Sequence, residues 1–194
     1  MMTSGHAPTA MIADYAAGAL SCGMSLVVAS HLTYCPCCRD KAARLEALGG
    51  ALLCCGKPVD PAPSCLERAL ARIEAPAAPA PAAEPRDPPL PRPLCRLAPR
   101  DGDIRWQPVA PGLAAFWLDG FPGERVGLLR ARPGTPVAAG GPPAAALVIR
   151  GALRQGRHIW HPGELAFPAG PEAPEATGAQ ACLCLAVRPE PPPG

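Results

Sequence analysis

The chain has no stretch of the roughly 18 continuous apolar residues that a membrane-crossing helix needs, so no membrane association is expected. It has no block of lysine or arginine either: 18 basic residues against 16 acidic ones leave a formal net charge of +2, scattered along the chain. A nucleic-acid face requires a clustered basic footprint, so direct nucleic-acid binding is not expected. From Arg125 to Arg157 there is no histidine, cysteine, aspartate or glutamate, and that stretch has nothing with which to hold a metal or move a proton. No nucleophile–base pair or phosphate-cradling loop stands out elsewhere, which argues against a hydrolase or nucleotide enzyme. The amino terminus runs through Ser4, Gly5, His6 and Asp14 without the basic start and apolar core of a secretory signal, and the expected location is the cytoplasm.

Proline, glycine and cysteine are abundant instead. Pro 29 and Gly 20 together make about a quarter of the 194 residues, a composition of turns, linkers and edges. A hydrophobic fraction of 48%, inflated by alanine, still allows a small core in each of two domains. Ten cysteines in a cytoplasmic protein read as metal ligands, reduced core thiols or redox sensors rather than as a disulfide framework.

The densest signal is His31-Leu32-Thr33-Tyr34-Cys35-Pro36-Cys37-Cys38, a His-x3-Cys-x2-Cys spacing. Residues four apart share a helix face, so His31 and Cys35 can meet one cation. Pro36 suits the first turn of a following helix and brings Cys38 to the same point. Zinc prefers four nitrogen and sulfur ligands in a closed structural site. His6, the other histidine of the first 150 residues, is the natural fourth ligand. Cys37 is an alternative to Cys38, though a Cys-x-Cys bite is the less common geometry.

The first part of the chain reads as helices: Thr9 to Leu20, Met24 to Tyr34, Pro36 to about Cys54-Cys55-Gly56, and Cys65 to Ile73 with Ser64 as N-cap and Glu67 completing a capping box. Four helices in about 75 residues give a thin core, which bound zinc would stabilise directly. Leu20, Leu26, Val27, Leu52 and Leu53 exceed what so small a core needs, and some of them are expected to grip a partner.

Eight of the eighteen residues from Pro76 to Pro93 are proline, and half of the others are alanine. This segment, 76–94, reads as a semi-rigid polyproline spacer. Beyond it, 95–190 reads as β. Short strands are expected at Ile104–Val109, Ala114–Leu118, Arg125–Ala131, Ala145–Ile149, Arg157–Trp160, Glu164–Phe167 and Ala181–Val187, in a sandwich or barrel. The fold class is therefore α+β: a small zinc-bound helical bundle (1–75), a Pro/Ala-rich linker and an antiparallel β domain.

The run of His6, Ala13-Asp14-Tyr15-Ala16-Ala17-Gly18-Ala19-Leu20, Leu26-Val27-Val28-Ala29-Ser30-His31-Leu32, Cys35, Cys38 and Leu45-Glu46-Ala47-Leu48-Gly49-Gly50 resembles the ChrR-type zinc anti-sigma factors. The resemblance implies zinc on His6, His31, Cys35 and Cys38. It implies as function the sequestration of an extracytoplasmic-function sigma factor until a stress signal, expected to be oxidative, releases it. Pro133-Gly134-Thr135, the Leu147–Gly151 turn, Pro162-Gly163-Glu164 and Pro168-Ala169-Gly170 resemble a cupin, the second domain of that family.

Here the sequence departs from the family pattern. A metal-binding cupin places two histidines and a glutamate before the residue corresponding to Gly151, and a histidine after the Pro-x-Gly turn. In this chain the glutamate position falls on Ala144, the histidine positions among Val137, Ala138, Ala139 and Gly140, and the last histidine near Ala173, beside Glu172. A single carboxylate cannot hold a transition metal, so no cofactor is expected there and no enzyme activity. His158 and His161 point to opposite faces of a strand and read as solvent-facing. Cys182 and Cys184 share a strand face. Together with Cys22, Cys37, Cys54 and Cys55 they leave open a redox-sensing module with another protein partner, and a cupin-fold metalloenzyme is the remoter alternative.

Overall fold

The computed structural model describes residues 5–74, 90–99, 103–138, 141–168, 170 and 172–190. Its helices are α1 (Thr9–Ala16), α2 (Cys22–Tyr34), α3 (Pro36–Cys54), α4 (Cys65–Glu74) and α5 (Arg92–Cys95). The strands are β1 (Gln107–Ala110), β2 (Leu113–Leu118), β3 (Glu124–Ala131), β4 (Ala145–Arg150), β5 (Ala152–Gln155), β6 (His158–Trp160), β7 (Leu165–Ala166), β8 (Glu175–Thr177) and β9 (Cys182–Pro189). Strands β1-β2-β3-β9-β4-β7 form one antiparallel sheet and β6-β5-β8 a smaller one. No described helix is long and apolar enough to cross a membrane.

Local chemistry sets the helix ends. α1 stops at Ala16 rather than Leu20, because Gly18 takes φ +68°, a left-handed conformation that ends helices. α2 starts earlier than Met24, because the Ser21 hydroxyl accepts from the Met24 N–H at 3.3 Å as an N-cap. Ile104 and Trp106 do not extend β1. They pack, partly buried, against the helical core, with the Arg130 guanidinium 4.6 Å from the centre of the Trp106 ring.

Alternation on the central strands builds two cores. Ala146 and Val148 of β4 and Cys182, Cys184 and Ala186 of β9 face the smaller sheet, with Leu113, Leu129, Leu153 and Trp160. Leu147 and Ile149 of β4 and Leu183, Leu185 and Val187 of β9 face the helices, where Ile12, Val27, Val28 and Leu94 complete a second core. Strands buried on both faces read as unbroken apolar runs, which is why these were legible.

The helices thus share a core with the sheet, α2 lying on β3, β4 and β9. This corrects two expectations. Leu26 and Val27 are buried in that shared core, where each side chain contributes about 1.5–3 kcal/mol, and they are not available to a partner. Leu20 is partly buried against the same core. Of the expected spacer, residues 76–89 lie outside the described ones, while Leu90 and Leu94 are buried and α5 packs on α2.

Two contacts fix α2 on the sheet. The Glu124 carboxylate accepts from the Ser21 hydroxyl at 2.6 Å and the Gly23 N–H at 2.8 Å, serving an unpaired donor and the positive end of the helix. A Cβ on Gly23 would lie 2.6 Å from a Val126 methyl and 2.8 Å from a Val187 methyl. Gly23→Ala is expected to lower stability by about 1–3 kcal/mol through overpacking, read as a fall of several degrees in the melting temperature by calorimetry. An unchanged melting temperature would contradict this close seating.

Candidate metal centre

Four side chains converge. His31 lies in the last turn of α2; Cys35 joins α2 to α3; Cys38 lies in the first turn of α3; His6 comes from the segment before α1. One ligand atom from each lies within 4.8 Å of all the others, the one such group among the described residues. Cys35 is the N-cap of α3, extended at φ −104° and ψ 102°, with Pro36 in the first turn. Its sulfur accepts from the Cys38 N–H at 3.4 Å, which brings the two sulfurs to one corner. His6 is presented by Gly5, whose carbonyl accepts from the Leu165 N–H at 3.1 Å.

The spacing suits one small cation. His6 Nδ1 is 3.2 Å from Cys35 Sγ and 3.7 Å from Cys38 Sγ; ligands bonded at 2.0–2.3 Å in a tetrahedron lie about 3.3–3.8 Å apart. His31 is 1% exposed. Its Nδ1–H donates to the Gly163 carbonyl at 2.8 Å, which fixes the tautomer and leaves a lone pair on Nε2. That Nε2 is buried and has no hydrogen-bond partner. Burial holds the His31 imidazole below its ordinary pKa, partly offset by the Gly163 bond, so the neutral, ligating form is favoured. Burial also pushes the Cys38 thiol up, against a backbone hydrogen bond from Ala7, and the neighbouring Cys35 thiol pushes it further. A cation among the four would reverse that sign. Two neutral imidazoles and two thiolates form a complete four-ligand set able to hold a metal ion.

Cys37 is exposed and outside the cluster, so the geometry selects Cys38 over it. In the β-sandwich, Ala144 is exposed at the start of β4, its N–H donating to Val187. Ala173 is half-buried beside Arg154, Glu172 and Glu175 at an open cleft. Val137 is fully buried and apolar, and Ala139 and Gly140 lie outside the described residues. The hydrophobic residues packed between the two sheets include the Cys182 and Cys184 thiols, and Arg125 and Arg188 line a cavity on the same face with Trp117, Leu129, Val137 and Ala186. A hydrogen bond with Cys182 and burial push the Cys184 thiol well up, which keeps it protonated and unreactive. His158 packs against Trp160 at 4.5 Å between ring centres. His161 is exposed, and its backbone N–H donates to the Glu164 carboxylate. Neither histidine joins a ligand cluster among the described residues.

Leu52 and Leu53 are 67% and 81% exposed, at the end of α3. Sequence reasoning passed over Leu66, Leu70 and Ile73, which are exposed on α4, a helix with no buried residue. The i, i+4, i+7 spacing of these three was the signal available for them. Sequence reasoning also missed the Gly163 carbonyl, a backbone group with no residue signature.

No protein-family model matches the chain. The anti-sigma-E factor ChrR of Cereibacter sphaeroides is 33% identical over 189 residues, covering 94% of this chain and 88% of that protein. The crystal structure of Rhodobacter sphaeroides SigE in complex with the anti-sigma ChrR contains a chain that superposes with a TM-score of 0.72 at 30% identity, over 96% of this chain and 99% of that one. Sequence likeness over nearly the whole length, a shared fold and the assembled His/Cys cluster lead to one conclusion: the chain belongs to the ChrR family of anti-sigma factors.

Proposed function

We propose that this protein holds an extracytoplasmic-function sigma factor away from RNA polymerase in the cytoplasm, and that one structural zinc ion on His6, His31, Cys35 and Cys38 keeps its helical region, 1–75, in the binding conformation. The observation that carries the metal reading is the buried, unpartnered Nε2 of His31 within reach of two sulfurs and a second imidazole. A buried acceptor left unpaired costs about 1–3 kcal/mol, and a cation removes that cost. Zinc fits a two-nitrogen, two-sulfur set better than metals that prefer oxygen ligands. When bound, it supplies folding free energy rather than chemistry, because four protein ligands leave no open position.

The partner reading comes from the relatives: ChrR is an anti-sigma-E factor, and the solved complex pairs it with SigE. In this chain Leu48, Leu52 and Leu53 of α3 and Leu66, Leu70 and Ile73 of α4 are exposed together with Val59 between the helices. Exposed apolar side chains in this number are what a protein partner covers. We read the β domain, about 95–190, as a scaffold without metal and the protein as no enzyme. An oxidative release signal would act at the zinc thiolates of Cys35 and Cys38, or at the exposed Cys37, Cys54 and Cys55.

The decisive experiment is co-expression with the sigma factors of the same cell, affinity purification and a metal assay on what is recovered. The expected product is a one-to-one complex carrying one zinc per chain. Recovery of the chain alone, or with a second metal in the β domain, would overturn the reading.

A further inference from the structure

Both histidines of the cluster are held from the sheet, by the single turn that joins β6 to β7. Within it the Gly163 carbonyl accepts the Nδ1–H of His31 at 2.8 Å, and directly after it the N–H of Leu165, the first residue of β7, donates to the carbonyl of Gly5, the residue before His6, at 3.1 Å. The fit is close on both sides. A Cβ on Gly163 would lie 2.9 Å from the Cβ of Tyr34, the residue before Cys35, and one on Gly5 would lie 2.5 Å from the Glu164 carboxylate. The turn is tied in its turn to the central sheet: the Gly163 N–H donates to Val148 at 2.8 Å and the Val148 N–H to Glu164 at 3.1 Å. The two sulfurs are placed by the α2–α3 corner, through the Cys35 cap on the Cys38 N–H.

Resting on the zinc reading above, we propose that residues 161–165 form a positioning clamp that orients His6 and His31 for the metal, so that zinc binding and docking of the helices on the sheet are one linked equilibrium. Linkage is reciprocal: the factor by which the docked turn tightens zinc is the factor by which zinc tightens docking. Partners that orient a metal-bound histidine typically contribute 10–100-fold in metal affinity, and here that partner belongs to the sheet rather than to the helices bearing the ligands. Any event that shifts the Val148–Glu164 register therefore reaches the metal without touching a ligand.

The test uses the full-length chain. Gly163 has φ +87°, so Gly163→Ala combines backbone strain with the Tyr34 overlap and displaces the carbonyl. Gly156→Ala is the control, with φ +58° and nothing within 4 Å of its Cβ, carrying strain without the clamp. Competition against a chromophoric chelator should show zinc bound about 10–100-fold more weakly by the first variant and as tightly as wild type by the second. A second measurement requires no variant: in the wild-type chain, zinc should slow hydrogen exchange of the Leu165 amide. Equal zinc affinity in the two variants, or a Leu165 amide indifferent to zinc, overturns the clamp alone. A wild-type chain that binds no zinc overturns the zinc reading, and the clamp with it.

Discussion

With one zinc ion holding the helical region as proposed, Cys35→Ala is expected to yield a chain that carries no zinc through purification and does not capture the sigma factor. The residue has three roles at one point. It supplies one of the two sulfurs of the His/Cys cluster, is the N-cap that accepts the Cys38 N–H, and is the extended residue that turns α2 into α3. The cap alone accounts for about 1 kcal/mol. A zinc ion on the cluster would account for far more, since structural zinc sites carry roughly 10–16 kcal/mol of apparent binding free energy, comparable with the 5–15 kcal/mol that holds a whole domain folded. Removing one sulfur of the cluster would also leave the buried Nε2 of His31 without a cation, next to a helical core that is shared with the sheet. His31→Ala should give the same result. Cys37→Ala, altering an exposed thiol outside the cluster, should keep both zinc and partner. Metal analysis and co-purification read both properties from one preparation, and a zinc-free Cys35→Ala chain that still captures the sigma factor would break the link between metal and binding.

The contrast between Cys35 and Gly163 shows which parts of this site the sequence displays. The His31, Cys35 and Cys38 positions are related by one helical turn and one N-cap, both local, so their spacing is visible in an eight-residue window. His6 was legible by scarcity. The acceptor that orients His31 lies 132 residues away and is a backbone carbonyl, and long-range backbone pairing leaves no mark in composition. The same limit explains Leu26 and Val27. An apolar residue on a short helix is equally suited to a partner and to a core, and only the arrival of β3, β4 and β9 from far along the chain decides between them. In the β region the doubly buried strands β3, β4 and β9 stood out as apolar runs. β5 and β8 did not, being four and three residues long, with Arg154, Gln155 and Glu175 interrupting any alternation. Their pairing is stabilised by cross-strand contacts such as Arg154 with Glu175.

Replacing the apolar stripe of α4 should separate binding from folding. Leu66 and Leu70 stand one turn apart, 68% and 47% exposed, on a helix that buries none of its residues. Leu66→Gln with Leu70→Gln keeps helix propensity and, as a surface change, should move stability by no more than about 0.5 kcal/mol per site. Zinc content and melting temperature are therefore expected to stay at wild-type values. The complex is expected to suffer: anchor residues at protein interfaces contribute about 2 kcal/mol or more each, and two together correspond to a roughly thousandfold rise in Kd, which titration calorimetry would measure. Ile159→Gln supplies the comparison, since Ile159 is 42% exposed on β6 of the smaller sheet, and should leave affinity unchanged. If the α4 double variant binds as tightly as wild type, the partner does not use this stripe, and the exposed Leu48, Leu52 and Leu53 of α3 become the surface to replace next. If Ile159→Gln weakens the complex as much, the β domain belongs to the interface, and release of the sigma factor would then require the sheet to move as well as the helices.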